Sequence, residues 1–381
     1  MTAEQDPFRE DRAATGIKTM RAEGQDMPLI LRLQDVRKTC KDWKTFSNDD
    51  PYMIVPHSEA DVRSVRQYPI ETDPPDHTDY RTLVEPFFKR PSTDPEYMER
   101  MRGLVGRCLD AVIDADEVEV VRDFSLPLQS RSLTMLLGVD ESEAELWISW
   151  GTHVFKEGDG VSKGAELADY IRQKFEATAG SDADDFFSSL NRVEFRGRPL
   201  TLEEKHGFAN MAFAGGRDTV IHTVTSIIAY LADHPEALAF LREDTMRINT
   251  ATEEFVRWVS PLTAIARKCP HGAQVLDAEV KPGERVGLCW PSANRDESAF
   301  KNPEDVVLDR APNPHVGFGF GVHKCLGSPQ ARLIIRSVLQ ALCERVAAIR
   351  PIEAVPEVEE ESSFSRRVGY SKLRVAFEPL A

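Results

Sequence analysis

From Thr201 to about Ala232 no proline interrupts a run of helix-forming residues, and His234-Pro235 then stops it. Thr201-Leu-Glu-Glu204 has the spacing of a capping box at its start. Such a helix is about 48 Å long, enough to cross a whole domain. In its middle stands Ala214-Gly215-Gly216-Arg217-Asp218-Thr219. Two adjacent glycines inside a helix cost about 2 kcal/mol, so a close approach must offset them. On these residues alone the approaching body is either a planar cofactor or another helix that needs small neighbours. A mid-helix threonine such as Thr219 can also bond back to a carbonyl and bend the helix. Arg217 and Asp218 adjoin in sequence but point to different faces.

The rest reads as mostly helical from residue 74 to 260, with short strands interleaved towards the C-terminus. Asp73-Pro74-Pro75-Asp76 looks like a helix start with Asp73 as cap, and places His77 and Arg81 four apart on one face. A helix is expected over Thr252 to Trp258, ended by Ser260-Pro261, and another from about Ser328 to Ala348. Gln274 to Val280 and Arg285 to Trp290, joined by Pro282-Gly283, suggest a β-hairpin. No linker marks a boundary, so residues 1–381 are read as a single domain.

Apolar residues at 41% and charged residues at 29% fit a folded globular chain. The polar opening has no secretory core, and no apolar run reaches membrane-spanning length, so a cytoplasmic protein without membrane contact is expected. The net charge of −16 argues against nucleic acid. A stretch from Arg81 through Lys89, Arg90, Arg100, Arg102 and Arg107 is locally basic, either a docking face or an ordinary solvated helix surface. Six scattered cysteines (Cys40, Cys108, Cys269, Cys289, Cys325, Cys343) contain no CxxC pair, which suggests neither a disulfide framework nor a zinc site.

The sharpest local signal is Phe318-Gly-Phe-Gly321-Val-His323-Lys-Cys325-Leu-Gly327, set just before the last helix. Glycines let the backbone approach a flat object and offer N–H groups to a sulfur anion, and the helix start adds its positive dipole. The loop resembles the haem-ligand loop of the cytochrome P450 family. That resemblance implies a mainly α fold with small β-sheets, a triangular helical prism around haem b, with Cys325 as the proximal iron ligand. Phe318, His323 and Gly327 would belong to the cofactor site.

Further segments resemble the same family in the same order. Glu254-Phe-Val-Arg257 is similar to its Glu-x-x-Arg motif, a structural ion pair completed by an arginine for which Arg310 is the candidate. The Gly215 to Thr219 run resembles its oxygen-binding motif, implying that Gly215 lies against the cofactor, Thr219 bonds oxygen and Asp218 relays protons. Asp73-Pro-Pro-Asp-His77-Thr-Asp-Tyr-Arg81 resembles its propionate-binding segment, and Arg267 falls where a further propionate-binding arginine is expected. His77, Arg81, Arg267 and His323 would then serve two carboxylates. Gly317 departs from the family, which often has alanine there. The first seventy residues match weakly.

The resemblance implies a monooxygenase that uses dioxygen and two electrons from NAD(P)H, delivered by a separate ferredoxin and reductase or a flavodoxin. Lys324, Arg332 and Arg81 are candidate contacts for that carrier. Two segments that roof the pocket in this family, Tyr52 to Arg66 and Arg366-Arg367-Val-Gly-Tyr370, are polar here. They favour a polar substrate such as a methylated sugar or other methoxy compound, losing its methyl group after hydroxylation. Alternatively these charges face solvent, and Phe155, Phe213 and Leu262 line an apolar pocket for a terpenoid or fatty acid. A peroxide-driven haem-thiolate enzyme and a non-catalytic haem sensor remain as rivals; the Asp218-Thr219 pair weighs against both.

Overall fold

The structure, a computed structural model, describes residues 6–152 and 159–380. In chain order its first half carries α1 (Arg9–Ala14), β1 (Ile17–Ala22), β2 (Gln25–Ile30), α2 (Leu33–Lys41), α3 (Asp76–Thr93), α4 (Pro95–Asp110) and β3 (Val118–Glu119). Then come α5 (Leu126–Leu137), α6 (Ala144–Ser149), α7 (Asp159–Ala177), α8 (Phe186–Arg192), β4 (Glu194–Phe195) and β5 (Arg198–Pro199). The second half runs α9 (Leu202–Gly216), α10 (Asp218–Asp233), α11 (Pro235–Glu243), α12 (Arg247–Val259), β6 (Ala264–Lys268), β7 (Ala273–Val275), β8 (Ala278–Val280) and β9 (Arg285–Cys289). It closes with α13 (Trp290–Ala293), α14 (Ser328–Arg345), β10 (Val346–Glu361) and β11 (Phe364–Pro379).

The architecture is helical, with a four-stranded sheet in the order β1-β2-β9-β6, a three-stranded sheet in the order β10-β11-β3 and two small hairpins. No helix among the described residues is long and apolar enough to cross a membrane.

Packing follows periodicity. Ile334, Val338 and Leu342 recur every fourth residue on α14 and are buried together with Val224, Ile227, Ile228 and Leu231 of α10 and Phe255 of α12. A second, aromatic core joins α3, α5, α8 and α9 through Phe87, Leu133, Phe186 and Phe213. The break between α9 and α10, and the loop that leads into α14, are thus each carried by elements fixed in the interior.

Local chemistry explains the start of α9 but not that of α3. Thr201 forms the expected capping box: its hydroxyl accepts Glu204 N–H (3.2 Å), and the Glu204 carboxylate accepts Thr201 N–H (2.7 Å). Asp73 does not cap α3. Its carboxylate is drawn to the 47–48 turn instead, accepting Asn48 N–H at 2.9 Å and the Ser47 hydroxyl, and only its backbone carbonyl meets His77 N–H (2.9 Å).

Three expectations are corrected. The long helix is two helices, because Arg217 (φ −103°, ψ −84°) leaves the helical region. The hairpin lies wholly within 273–280, where β7 pairs with β8, while β9 pairs antiparallel with β6 and parallel with β2. Lastly, the C-terminal strands are long, since β10 and β11 pair over most of their sixteen residues each.

Candidate functional site

The loop before α14 is shaped by its own backbone. Cys325 N–H donates to the Phe318 carbonyl (2.8 Å) and Gly319 N–H to that of Val316 (2.8 Å). Gly319 and Gly321 hold φ of 68° and 73°, and a Cβ on Gly321 would stand 2.6 Å from the Cys40 carbonyl oxygen of α2. Gly317 has an equally local reason: a Cβ there would meet Val256 Cγ1 at 2.8 Å and the Val256 oxygen at 2.9 Å. The valine occupies the volume that an alanine at 317 would need.

Three outside groups clamp this loop. Arg81 reaches from α3 to donate to the Lys324 carbonyl (2.8 Å). Arg332 lies over the Phe318 ring, 4.4 Å from its centroid, and is bound by both oxygens of Glu253 (2.7 and 2.8 Å). His315 also contacts Glu253 (3.0 Å) and accepts Gly317 N–H (3.1 Å).

Five of the cysteines are buried thiols, whereas Cys325 is exposed. Even so, burial pushes its thiol up, against the lowering by the Gly327 and Ser328 N–H groups, Arg81 and Arg332. A sulfur that is both accessible and deep faces an internal concavity. Two backbone N–H groups and two cations around it suit a thiolate ligand.

Beside it, His77 and His323 approach ring to ring, centroids 4.2 Å apart. Burial, with Arg81 nearby, pulls the His77 imidazole down to about 4. Burial, then Arg267, His77 and Arg81, hold His323 well below its ordinary value. His77 Nδ1 and both ring nitrogens of His323 are buried without a hydrogen-bond partner. Arg267 is buried on β6, and burial lowers its guanidinium too. Buried donors and cations that lack a carboxylate are what the two propionates of a haem would satisfy.

Glu254 and Arg257 are completely buried and form two parallel bonds of 2.8 Å. Arg310 Nε adds a bond of 2.9 Å to the same carboxylate, Asn313 one of 3.1 Å and Val307 N–H one of 2.8 Å. Burial alone would raise the Glu254 carboxyl, but Arg257 and the other donors hold it below its ordinary value. Arg257 in turn ties down the carbonyls of Asn294, Pro303 and Asp305. Through these bonds the segment leading to the cysteine loop is fixed to α12. Asn313 lies inside the run that supplied Arg310 and could have been read from it; the Glu253–Arg332–His315 cluster has no sequence signal.

At the break between α9 and α10, Thr219 Oγ1 donates to the Gly215 carbonyl (3.1 Å), and the Gln129 amide of α5 donates to that of Gly216 (2.8 Å). Arg217 turns away and caps the end of α6 through the carbonyls of Trp147 (2.5 Å) and Gly151 (3.2 Å). Burial pulls its guanidinium down to about 10, against the opposing influence of Asp218. A Cβ on Gly216 would touch Leu133 at an ordinary 3.9 Å, and one on exposed Gly215 would meet only the Met211 methyl at 2.8 Å. A crossing helix therefore does not account for these glycines, and an open side at Gly215 does.

In the polar roof some residues, among them His57, Asp61 and Ser64, are exposed, and several pair within the protein. Arg63 is buried and bound to Glu71, itself buried, and to Glu59 (2.8 Å), with the Tyr52 ring stacked 4.7 Å away. His57 pairs with Glu361 (2.8 Å) and Arg66 with Asp49 (2.6 Å). Much of the segment's charge is thus spent on its own neighbours. Arg366 is likewise buried, donating to Thr263 Oγ1 (2.8 Å) and the Val259 carbonyl (3.0 Å). Phe213 lines no open space: it is packed against Trp147 (4.8 Å between centroids) and Trp150. Leu262 is exposed, and Phe155 lies outside the described residues.

The family model described as cytochrome P450 matches residues 151–367. The biotin biosynthesis cytochrome P450 of Bacillus subtilis (strain 168) is 30% identical over 285 residues, 72% of this chain and 72% of its own. The cytochrome P450 monooxygenase PikC of Streptomyces venezuelae is 30% identical over 334 residues, 85% of this chain and 79% of its own. Among solved structures, that of a carbohydrate active P450 is 44% identical with a TM-score of 0.96, covering 99% of this chain and 98% of that one.

Proposed function

The chain belongs to the cytochrome P450 family, and from that premise we propose that it oxidatively demethylates a methylated sugar or a closely related methoxy compound. Membership makes it a haem-thiolate monooxygenase that consumes dioxygen and electrons from a redox chain. The observation that carries the finer reading is the likeness, at 44% identity along nearly the whole chain, to a P450 described as carbohydrate active. Relatives near 30% identity include a steroid C26-monooxygenase of Mycobacterium tuberculosis, which keeps an apolar substrate as the alternative.

In this reading residues 1–381 form one domain and Cys325 Sγ holds the iron. Phe318, Gly327 and Gly215 flank the porphyrin; His77, Arg81, Arg267 and His323 receive its propionates. The bound haem supplies dioxygen activation, and the chain supplies position and protons. Thr219 Oγ1 holds a proton at the open side of the helix, and Asp218 replenishes it from solvent. Glu254, Arg257 and Arg310 keep the loop's approach rigid. Overall, a methyl ether, dioxygen, two electrons and two protons give a hemiacetal and water. The hemiacetal then breaks its C–O bond to release the free hydroxyl and formaldehyde. NAD(P)H supplies the electrons through a ferredoxin and its reductase, and Lys324 and Arg81 on the cysteine side face that carrier.

Adding methylated monosaccharides to the holoprotein should shift its visible spectrum. Turnover with a reductase chain should then yield one formaldehyde per sugar demethylated. Shifts with terpenoids or fatty acids, and none with any methylated sugar, would move the assignment to the apolar alternative.

A further inference from the structure

The break between α9 and α10 is held from outside the helices. Val220 N–H turns back to the Arg217 carbonyl (3.1 Å), three residues away, rather than to that of Gly216. The Gly216 carbonyl is taken up by Gln129 Nε2 at 2.8 Å. Gln129 is 1% exposed; the buried residues around it on α5 are Leu133 and Leu136 but also Ser130 and Ser132, and Ser130 Oγ lies 3.4 Å from Gln129 Oε1. A buried amide in such a place is costly unless bonded, and a leucine would fill the volume without that cost. The side chain therefore has a use that apolar packing does not supply.

We propose that Gln129 is a positioning residue for the Asp218–Thr219 pair: its amide, reaching in from α5, holds the helix break open at Gly216. Without that donor, the Gly216 carbonyl finds its nearest replacement in Val220 N–H, four residues on, as in an uninterrupted helix. Residue 217 then moves towards helical dihedrals, and Asp218 and Thr219 turn relative to α9. Arg217 works in the same sense from the other side, since its guanidinium is fixed on the end of α6. This inference rests on the proton-handling role given above to Asp218 and Thr219.

Two measurements on the holoenzyme test it. Gln129→Met keeps the length and removes the donor. We expect amide hydrogen exchange across residues 217–221 to slow by tenfold or more, and peroxide released per electron pair to rise several-fold while substrate still shifts the spectrum. Gln129→Leu, which is apolar and has no donor whatever the protonation state of its surroundings, carries the same expectation if the methionine variant does not fold. Ser132→Ala is the control: this hydroxyl bonds the Gln129 backbone carbonyl (2.8 Å) on the same helix and touches no part of the break, so both readouts should stay at wild type. Unchanged exchange at 217–221 in the Gln129 variants overturns the proposal, as does an equal change in Ser132→Ala. Failure of the underlying reading shows differently, as a Thr219→Ala enzyme that remains fully coupled.

Discussion

Replacing Glu254 by glutamine removes the carboxylate that joins two buried guanidinium groups, Arg257 and Arg310, and leaves them among backbone carbonyls. Breaking a buried ion pair in this way costs about 3–5 kcal/mol. We expect Glu254→Gln to yield little folded holoprotein, read as haem content per polypeptide. Arg257→Lys should fare poorly as well, since one ammonium cannot make the bidentate contact and hold three carbonyls. Glu253, next in sequence, offers a gentler test. Burial raises its carboxyl, but the bonds from Arg332 and His315 prevail and hold it at about 2. Because this folded value lies below the unfolded one, the stabilisation is complete above about pH 5 and fades as pH falls towards 2. The melting-temperature gap between wild type and Glu253→Gln should therefore narrow from pH 6 to pH 3.5; an unchanged gap would remove the ion pair as its cause. At Thr219, alanine should leave electron consumption intact while peroxide replaces product. The pairs three or four residues apart were legible because helix geometry fixes them. Glu253 with Arg332 was not, because the two meet across 79 residues of chain.

At the scale of elements, the capping box announced α9, while Gly215-Gly216 and Thr219 pointed to a weak or bent stretch without marking an end. The interruption depends on an amide from α5, 87 residues earlier, and on the grip of Arg217 upon α6. The C-terminal sheet escaped notice for a different reason. Pro351 and Pro356 argue against a strand, but both sit on β10, an edge strand, where a missing N–H is tolerated. Glu353, Glu357 and Glu359 share that strand with the exposed Val355 and Val358, and their charge discourages pairing with another chain. Element packing also makes a prediction at Gly207 of α9, where a Cβ would lie 2.1 Å from the Arg66 carbonyl oxygen. Alanine gains about 1 kcal/mol of helix propensity there. Overpacking against backbone costs about 1–3 kcal/mol. We expect Gly207→Ala to lower the melting temperature; a rise would mean that the 52–75 segment yields readily.

The whole molecule carries a net charge of −16, so an acidic electron carrier is repelled except where cations gather. Lys324 is exposed beside Cys325, whereas Lys89 and Arg90 on the neighbouring α3 are bound by Glu85 and Asp184, as Arg332 is by Glu253. Electron transfer from an acidic ferredoxin should slow as salt is added, and Lys324→Glu should slow it severalfold at low salt while leaving substrate affinity alone. Stopped-flow reduction rates against ionic strength decide this; a flat profile would call for a different docking face. The cysteine loop also bears on how the polypeptide comes together as it leaves the ribosome. Its braces come from Cys40, Arg81 and Glu253, so early, middle and late stretches must all be in place before the sulfur has its final setting. The loop is accordingly among the last parts to reach its final form, because α2, α3, α12 and the start of α14 must first assemble around it.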